Sequence, residues 1–115
     1  MEASQKLPVC RHCAKEFAPG ATWRGANYCR ALYLLPFIRG KPKSSAWELS
    51  QLAQLSYSDT TRAMLKLRDF RLVDYTTEED GERIRYRYTI KEDQQAVDRF
   101  LSALDNATRD ISYAW

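Results

Sequence analysis

At 115 residues the chain matches one domain of ordinary size, which excludes a multidomain enzyme. Its composition, 44% hydrophobic and 29% charged, supplies enough apolar surface for a core and excludes a disordered polymer. The formal net charge of +3 is too small to name a partner, but it is uneven: residues 1–43 hold eight Lys or Arg against Glu2 and Glu16, and residues 44–115 hold ten against thirteen acids.

The longest apolar run, 31–38, contains Pro36 and stops at Arg39, well short of the ~20 residues a membrane span needs. The first residues lack the basic-then-apolar order of a secretory signal. These features predict a cytoplasmic protein with no membrane partner. Three cysteines, Cys10, Cys13 and Cys29, cluster near the start. An odd, clustered set with a Cys-x2-Cys pair argues against a disulfide framework and for a metal site or its remnant.

In chain order, a Cys-containing segment (1–28) precedes a helical candidate over 29–39, limited by Pro36 and ended by Gly40-Lys-Pro42. In Ser45-Ala-Trp-Glu48 a hydroxyl three residues before a carboxylate predicts a reciprocally capped helix over 46–55, with Leu49, Leu52, Ala53 and Leu55 on its apolar side. Ser56 or Ser58 caps the next helix, where Thr60, Ala63, Met64 and Leu67 recur at spacings of three and four. The very short turn between these two helices forces a steep crossing, the arithmetic of a helix-turn-helix.

Residues 72–76 then read as a strand, Asp80-Gly81 as a hairpin turn, and 83–90 as a returning strand. That strand alternates Ile84, Tyr86, Tyr88 and Ile90 with Arg83, Arg85, Arg87 and Thr89, so a period of two sets three guanidinium groups side by side away from the core. A last helix from Glu92 to about Tyr113 carries Val97, Leu101, Leu104, Thr108 and Ile111 as a stripe widened by Phe100 and Ala107. The stripe is satisfied either by its own domain or by the same helix of a second chain; its length and the aromatic Tyr113-Ala-Trp115 end favour the second.

This order resembles a winged helix-turn-helix domain of the MarR or PadR regulator type. The resemblance is carried by Glu48-Leu-Ser-Gln-Leu-Ala-Gln-Leu-Ser56, Asp59-Thr-Thr-Arg-Ala-Met-Leu-Lys-Leu67, Arg71-Leu-Val-Asp-Tyr75 and the Glu79-Asp-Gly-Glu-Arg83 wing. The fold class it implies is mainly α with a β-hairpin wing (α+β), in three parts: a segment at 1–28, the winged domain at 29–90 and a C-terminal helix at 91–115. Two glycines usual in such families, before and after the recognition helix, are Gln54 and Arg71 here, which implies slightly different turns.

The resemblance implies a recognition helix at 57–69, with Tyr57, Ser58, Thr61 and Arg62 at the major groove of double-stranded DNA and Lys66 nearer the backbone. Arg83, Arg85 and Arg87 would lie along flanking phosphates or reach into the minor groove. The bland reading is that these arginines solubilise an exposed strand, pairing with Asp74, Glu78, Glu79, Asp80 and Glu82.

The start of the chain resembles a treble-clef zinc finger: Cys10-Arg-His-Cys13, an aromatic at Phe17, then Cys29 entering a helix, with the fourth ligand position on Tyr33. Structural zinc needs four N or S ligands. Three alternatives stand: a three-cysteine zinc site completed by another group, a site that has lost its metal, or three buried thiols. His12, the only histidine, would point away from a metal held by its neighbours and so is solvent-facing or packed.

No base sits beside a nucleophile except within the Cys-His turn, and glycines occur only at 20, 25, 40 and 81, forming no phosphate loop, so an enzyme is not expected. Trp23, Trp47 and Trp115 read as core or interface anchors. The function expected is sequence-specific DNA binding by a homodimeric transcriptional regulator. The alternatives are a protein-interaction module on the same fold, or a regulator that senses metal or thiol oxidation.

Overall fold

The computed structural model describes residues 7–10, 12, 14–20, 23, 25–91 and 93–108. Six elements follow in order: α1 (Ala26–Gly40), α2 (Ala46–Ala53), α3 (Tyr57–Asp69), β1 (Val73–Asp80), β2 (Arg83–Ile90) and α4 (Gln94–Thr108). Three helices, an antiparallel hairpin and a closing helix make a winged helix-turn-helix of the α+β class. Among the described residues no helix is long and apolar enough to cross a membrane.

α1 begins three residues earlier than the spacing of its apolar residues predicts, because Gly25 starts it in the left-handed region at φ 82. A Cβ there would lie 2.7 Å from Thr108 Cγ2 and 3.1 Å from the Ala107 carbonyl, so the start of α1 and the end of α4 approach at a distance that only glycine allows. The helix continues past Pro36 to Gly40, burying Cys29, Arg30, Ala31, Leu34 and Ile38.

α2 opens with the expected capping box: Glu48 N–H donates to Ser45 Oγ (3.2 Å) and Ser45 N–H donates to Glu48 Oε1 (2.9 Å). It ends at Ala53, earlier than expected, because Gln54 turns left-handed at φ 60 and Leu55 N–H donates to the Ser50 carbonyl. Arg71 does the same after α3, also at φ 60, while Leu72 N–H donates to the Leu67 carbonyl and Arg71 N–H to that of Arg68. The altered turns expected from the missing glycines are therefore not found. The chain keeps the left-handed closure with Gln and Arg, each at a conformational cost of about 1–2 kcal/mol that the surrounding packing offsets.

The hairpin is longer than expected on its first strand, pairing Val73 with Ile90 through to Asp80 with Arg83 around a turn in which Gly81 has φ 68. The wing is held to the body by the α1–α2 connection: Lys43 N–H donates to the Tyr88 carbonyl and Tyr88 N–H to that of Ser44. Leu34, Ile38, Leu49, Met64, Leu67 and Leu72 form the centre of the core. Phe17 and Cys10 from the N-terminal segment join it, with Phe17 packed on Trp23 and Tyr33.

α4 is capped by Asp93, whose Oδ1 accepts from Gln95 and Ala96 N–H. Its buried residues are Ala96, Phe100 and Leu104, a stripe at steps of four that packs on its own chain, with Phe100 meeting the rings of Tyr28 and Phe70. Phe100, expected at the margin of the stripe, is thus its centre; Val97 is half-buried and Leu101 exposed. Ile111, Tyr113 and Trp115 lie outside the described residues.

Candidate nucleic-acid interface

α3 is set on the body by its first turn and one face. Asp59 N–H donates to Ser56 Oγ (3.1 Å), and Thr60 Oγ1 donates to the Ser56 carbonyl (2.8 Å). Asp59, Thr60, Ala63, Met64 and Leu67 are buried. The opposite face is left to solvent: Tyr57, Ser58, Arg62 and Leu65 are exposed, and Thr61 and Arg68 are half-buried. Of the five helix residues expected at DNA, Tyr57, Ser58, Thr61 and Arg62 share this open side. Lys66 sits at its margin, with Nζ 4.8 Å from the ring centroid of Tyr28 on α1.

A buried ion pair fixes the N-terminal end of α3. Arg30 and Asp59 side chains are only 3% and 4% exposed and lie 3.7 Å apart, with Gly20 N–H also donating to Asp59 Oδ2 (3.1 Å). Arg62, largely exposed, reaches the other oxygen at 3.6 Å. The Arg30 guanidinium lies over the rings of Trp23 and Phe17. Asp59 is thus turned inward and paired, away from the open face of α3.

The wing's arginine row is uneven. Arg83 and Arg85 are exposed, whereas Arg87 is drawn against the body: its guanidinium donates to Glu48 Oε1 (2.8 Å), Glu78 Oε1 (3.1 Å) and the Lys43 carbonyl (3.3 Å). The equivalence of the three that strand alternation implies does not hold, because Glu48 at the start of α2 competes for the innermost one. Its hydrogen bond to Glu78 is the main cause holding the Arg87 pKa above its ordinary value. Glu48 in turn is held below the usual carboxylate range, chiefly by the Ser45 N–H. One carboxylate oxygen thereby closes the α2 cap and moors the wing.

On the other face of the hairpin, Tyr75, Tyr86 and Tyr88 cluster, with ring centroids 5.2–6.4 Å apart. Arg68 from α3 stacks on two of them, 4.4 Å from the Tyr75 centroid and 5.0 Å from that of Tyr86. Burial works against its charge, but the hydrogen bond to Tyr75 and the neighbouring phenols leave its pKa raised. Burial pushes the Tyr88 hydroxyl up. α3 and the wing thus share a cationic, aromatic seam.

Between them lies a groove of about 850 Å³ lined by Trp47, Tyr57, Thr61, Leu65, Arg68 and wing residues including Arg83, Ile84, Arg85 and Tyr86. Trp47 and Leu65, 60% and 53% exposed, and Arg68 were not among the site residues expected from sequence. Leu65 lies outside the apolar spacing of Thr60, Ala63, Met64 and Leu67, and a helical wheel places it on the open side; Arg68 is recognisable only once the wing's tyrosines stand beside it.

Of the three candidate metal ligands, Cys10, Cys13 and Cys29, two fall within the described residues. Cys10 and Cys29 are buried in the apolar core, and no group of three or more His, Cys, Asp or Glu among the described residues could hold a metal ion; Cys13 lies outside them. Tyr33, at the fourth ligand position, packs on Phe17 and Phe37. His12 is turned to α4, its Nε2 3.2 Å from Asp105 Oδ1. The Cys10 Sγ accepts a hydrogen bond from the His12 N–H (3.3 Å).

No family model matches the chain. It is 31% identical over 86 residues to the HTH-type transcriptional regulator YgaV of Escherichia coli (strain K12), an alignment covering 75% of this chain and 81% of that protein. Among solved structures it is similar to a predicted DNA-binding transcriptional regulator from E. coli, at 33% identity and a TM-score of 0.45, covering 65% of this chain and 73% of that one. It is also similar to a MarR protein from Peptoclostridium difficile DA00132, at 21% identity and a TM-score of 0.49, covering 73% of this chain and 53% of that one. On the strength of the YgaV match, the chain belongs to the HTH-type transcriptional regulators, a family of regulators and not of enzymes.

Proposed function

We propose that the chain binds double-stranded DNA sequence-specifically as a homodimeric regulator, acting in the cytoplasm. The observation that carries the reading is the open face of α3, where exposed Tyr57, Ser58 and Arg62 and half-buried Thr61 stand beside a wing whose Arg83 and Arg85 are exposed. A helix of this length fits the major groove, and the wing's cations reach flanking phosphates or the minor groove. Arg87, paired with Glu48 and Glu78, serves by orienting the wing.

Residues 29–90 form the reading unit, with 1–28 supporting the start of α3 through Gly20 and 91–115 supplying the dimer contact. Exposed Leu101 and half-buried Val97, beside the stripe that α4 buries on its own chain, support that contact. A two-fold arrangement would present two α3 helices to half-sites about 34 Å apart, on a roughly palindromic operator. The reading assigns no step to zinc or to thiol oxidation.

The test is selection of duplexes from a random pool, followed by binding of the retained duplex across about 50–200 mM salt. With Arg62, Arg83 and Arg85 of two protomers on phosphates, log K should fall linearly with log salt, with this group alone contributing a slope of roughly −5. Failure to retain any duplex, with a protein captured through Trp47 and Ile84 instead, would favour the interaction-module reading, for which the exposure of those two side chains speaks.

A further inference from the structure

Leu65 sits where a regulator of this kind needs a side chain that reads a base. At about 100° per residue, the mean direction of the buried residues Asp59, Thr60, Ala63, Met64 and Leu67 points away from Leu65 to within roughly 20°. The middle of the open face is therefore an aliphatic side chain, 53% exposed, with Ser58, Thr61 and Arg62 around it. It serves no core, and it offers no hydrogen bond to a base edge.

Its neighbours reinforce the apolar character. The Thr61 hydroxyl donates to the Ser58 carbonyl (2.8 Å), which turns its donor back to the helix. Tyr57 lies one turn before Thr61, and Leu65 one turn after, all three on the groove. Cations rim this strip, Arg62 on the helix, Arg68 at its far end, and Arg83 and Arg85 on the wing, while Glu48, which also lines the groove, is ion-paired to Arg87 at 2.8 Å. A surface that is apolar at its centre and positive at its rim complements a major groove in which phosphates flank an apolar group. In DNA that group is the C5 methyl of thymine.

We propose that Leu65 is a specificity-determining residue that reads a thymine methyl in each half-site, so that the operator carries thymine where the middle of α3 meets the groove. This rests on the DNA-binding reading above. Burying one methyl against the leucine is worth about a fourfold change in affinity per contact.

The experiment compares duplexes retained from the random pool, synthesised with thymine or with uracil only at the position that meets the middle of α3 in each half-site, so that they differ only in that methyl. The full-length wild-type protein and Leu65→Ala are both titrated. Wild type should bind the uracil duplex about fourfold more weakly per contacted half-site, and Leu65→Ala should bind both duplexes alike, with an unchanged circular-dichroism spectrum because the site is exposed. Equal binding of the two duplexes by wild type would overturn the inference while leaving DNA recognition intact, as would a Leu65→Ala variant that keeps the wild-type preference. Retention of no duplex at all would overturn both.

Discussion

Replacing Asp59 with alanine is expected to lower stability by about 3–5 kcal/mol, the largest loss expected of any polar substitution in α3. The reason is the charge left behind. Arg30 is 2% exposed overall, lies over Trp23 and Phe17, and faces the Asp59 carboxylate at 3.7 Å. Removing the carboxylate takes the Asp59 charge from a buried guanidinium that keeps its contact with Asn27 Oδ1 (3.4 Å), and takes from the Gly20 N–H its acceptor. For a domain this size the loss corresponds to a fall in Tm of roughly 15 °C. Replacing both members, Arg30→Met with Asp59→Leu, should recover most of it, since the pair's own net contribution is small once desolvation is counted. Thermal unfolding of the two variants checks both points; an alanine variant as stable as wild type would mean that the pair is hydrated and that the N-terminal segment does not set the pose of α3.

The second large effect is on affinity. The triple variant Arg62→Ala, Arg83→Ala, Arg85→Ala should bind a selected duplex on the order of a hundredfold more weakly at about 0.1 M salt, and its salt slope should be shallower by roughly 5 per dimer. Its Tm should stay close to that of wild type, because all three side chains are exposed and the Arg62–Asp59 contact is a solvent-facing one. Arg87→Ala should behave differently. Its guanidinium joins Glu48 to Glu78 and the Lys43 carbonyl, so its loss frees the wing from α2 and weakens binding while shallowing the slope less than either Arg83→Ala or Arg85→Ala. Equal slope changes for all three single variants would show that Arg87 leaves its carboxylates for phosphate.

The parts of the fold legible in the sequence are those decided locally. The span of α3 follows from the Ser56 hydroxyl and from apolar residues at steps of three and four; the hairpin follows from Asp80-Gly81 and strict alternation in β2. What was not legible is set by groups distant in sequence. Gly25 starts α1 early because α4, more than eighty positions on, packs against it. Gln54 and Arg71 take positive φ because the packing of Leu55 and Leu72 demands a left-handed closure that neither residue prefers. Arg87 parts from Arg83 and Arg85 because its partner Glu48 is thirty-nine residues away.

The candidate site shows the same division. The family resemblance implied Tyr57, Ser58, Thr61 and Arg62 at the groove, but it carried no expectation for Leu65, whose exposure shows only once the buried side of α3 is fixed. For the cysteines the spacing left three alternatives open, because spacing alone does not distinguish a ligand from a small buried thiol; Cys10 and Cys29 pack with Phe17 and Ala31 in the core, and Cys13 lies outside the described residues.

Hydrogen exchange of the protein, free and with its selected duplex, tests the central claim most directly. Slowed exchange confined to peptides spanning α3 and the wing from 82 to 87, with α1 unchanged, is the predicted result. Protection that falls on α1 or α4 while α3 and the wing exchange as in the free protein would contradict the account.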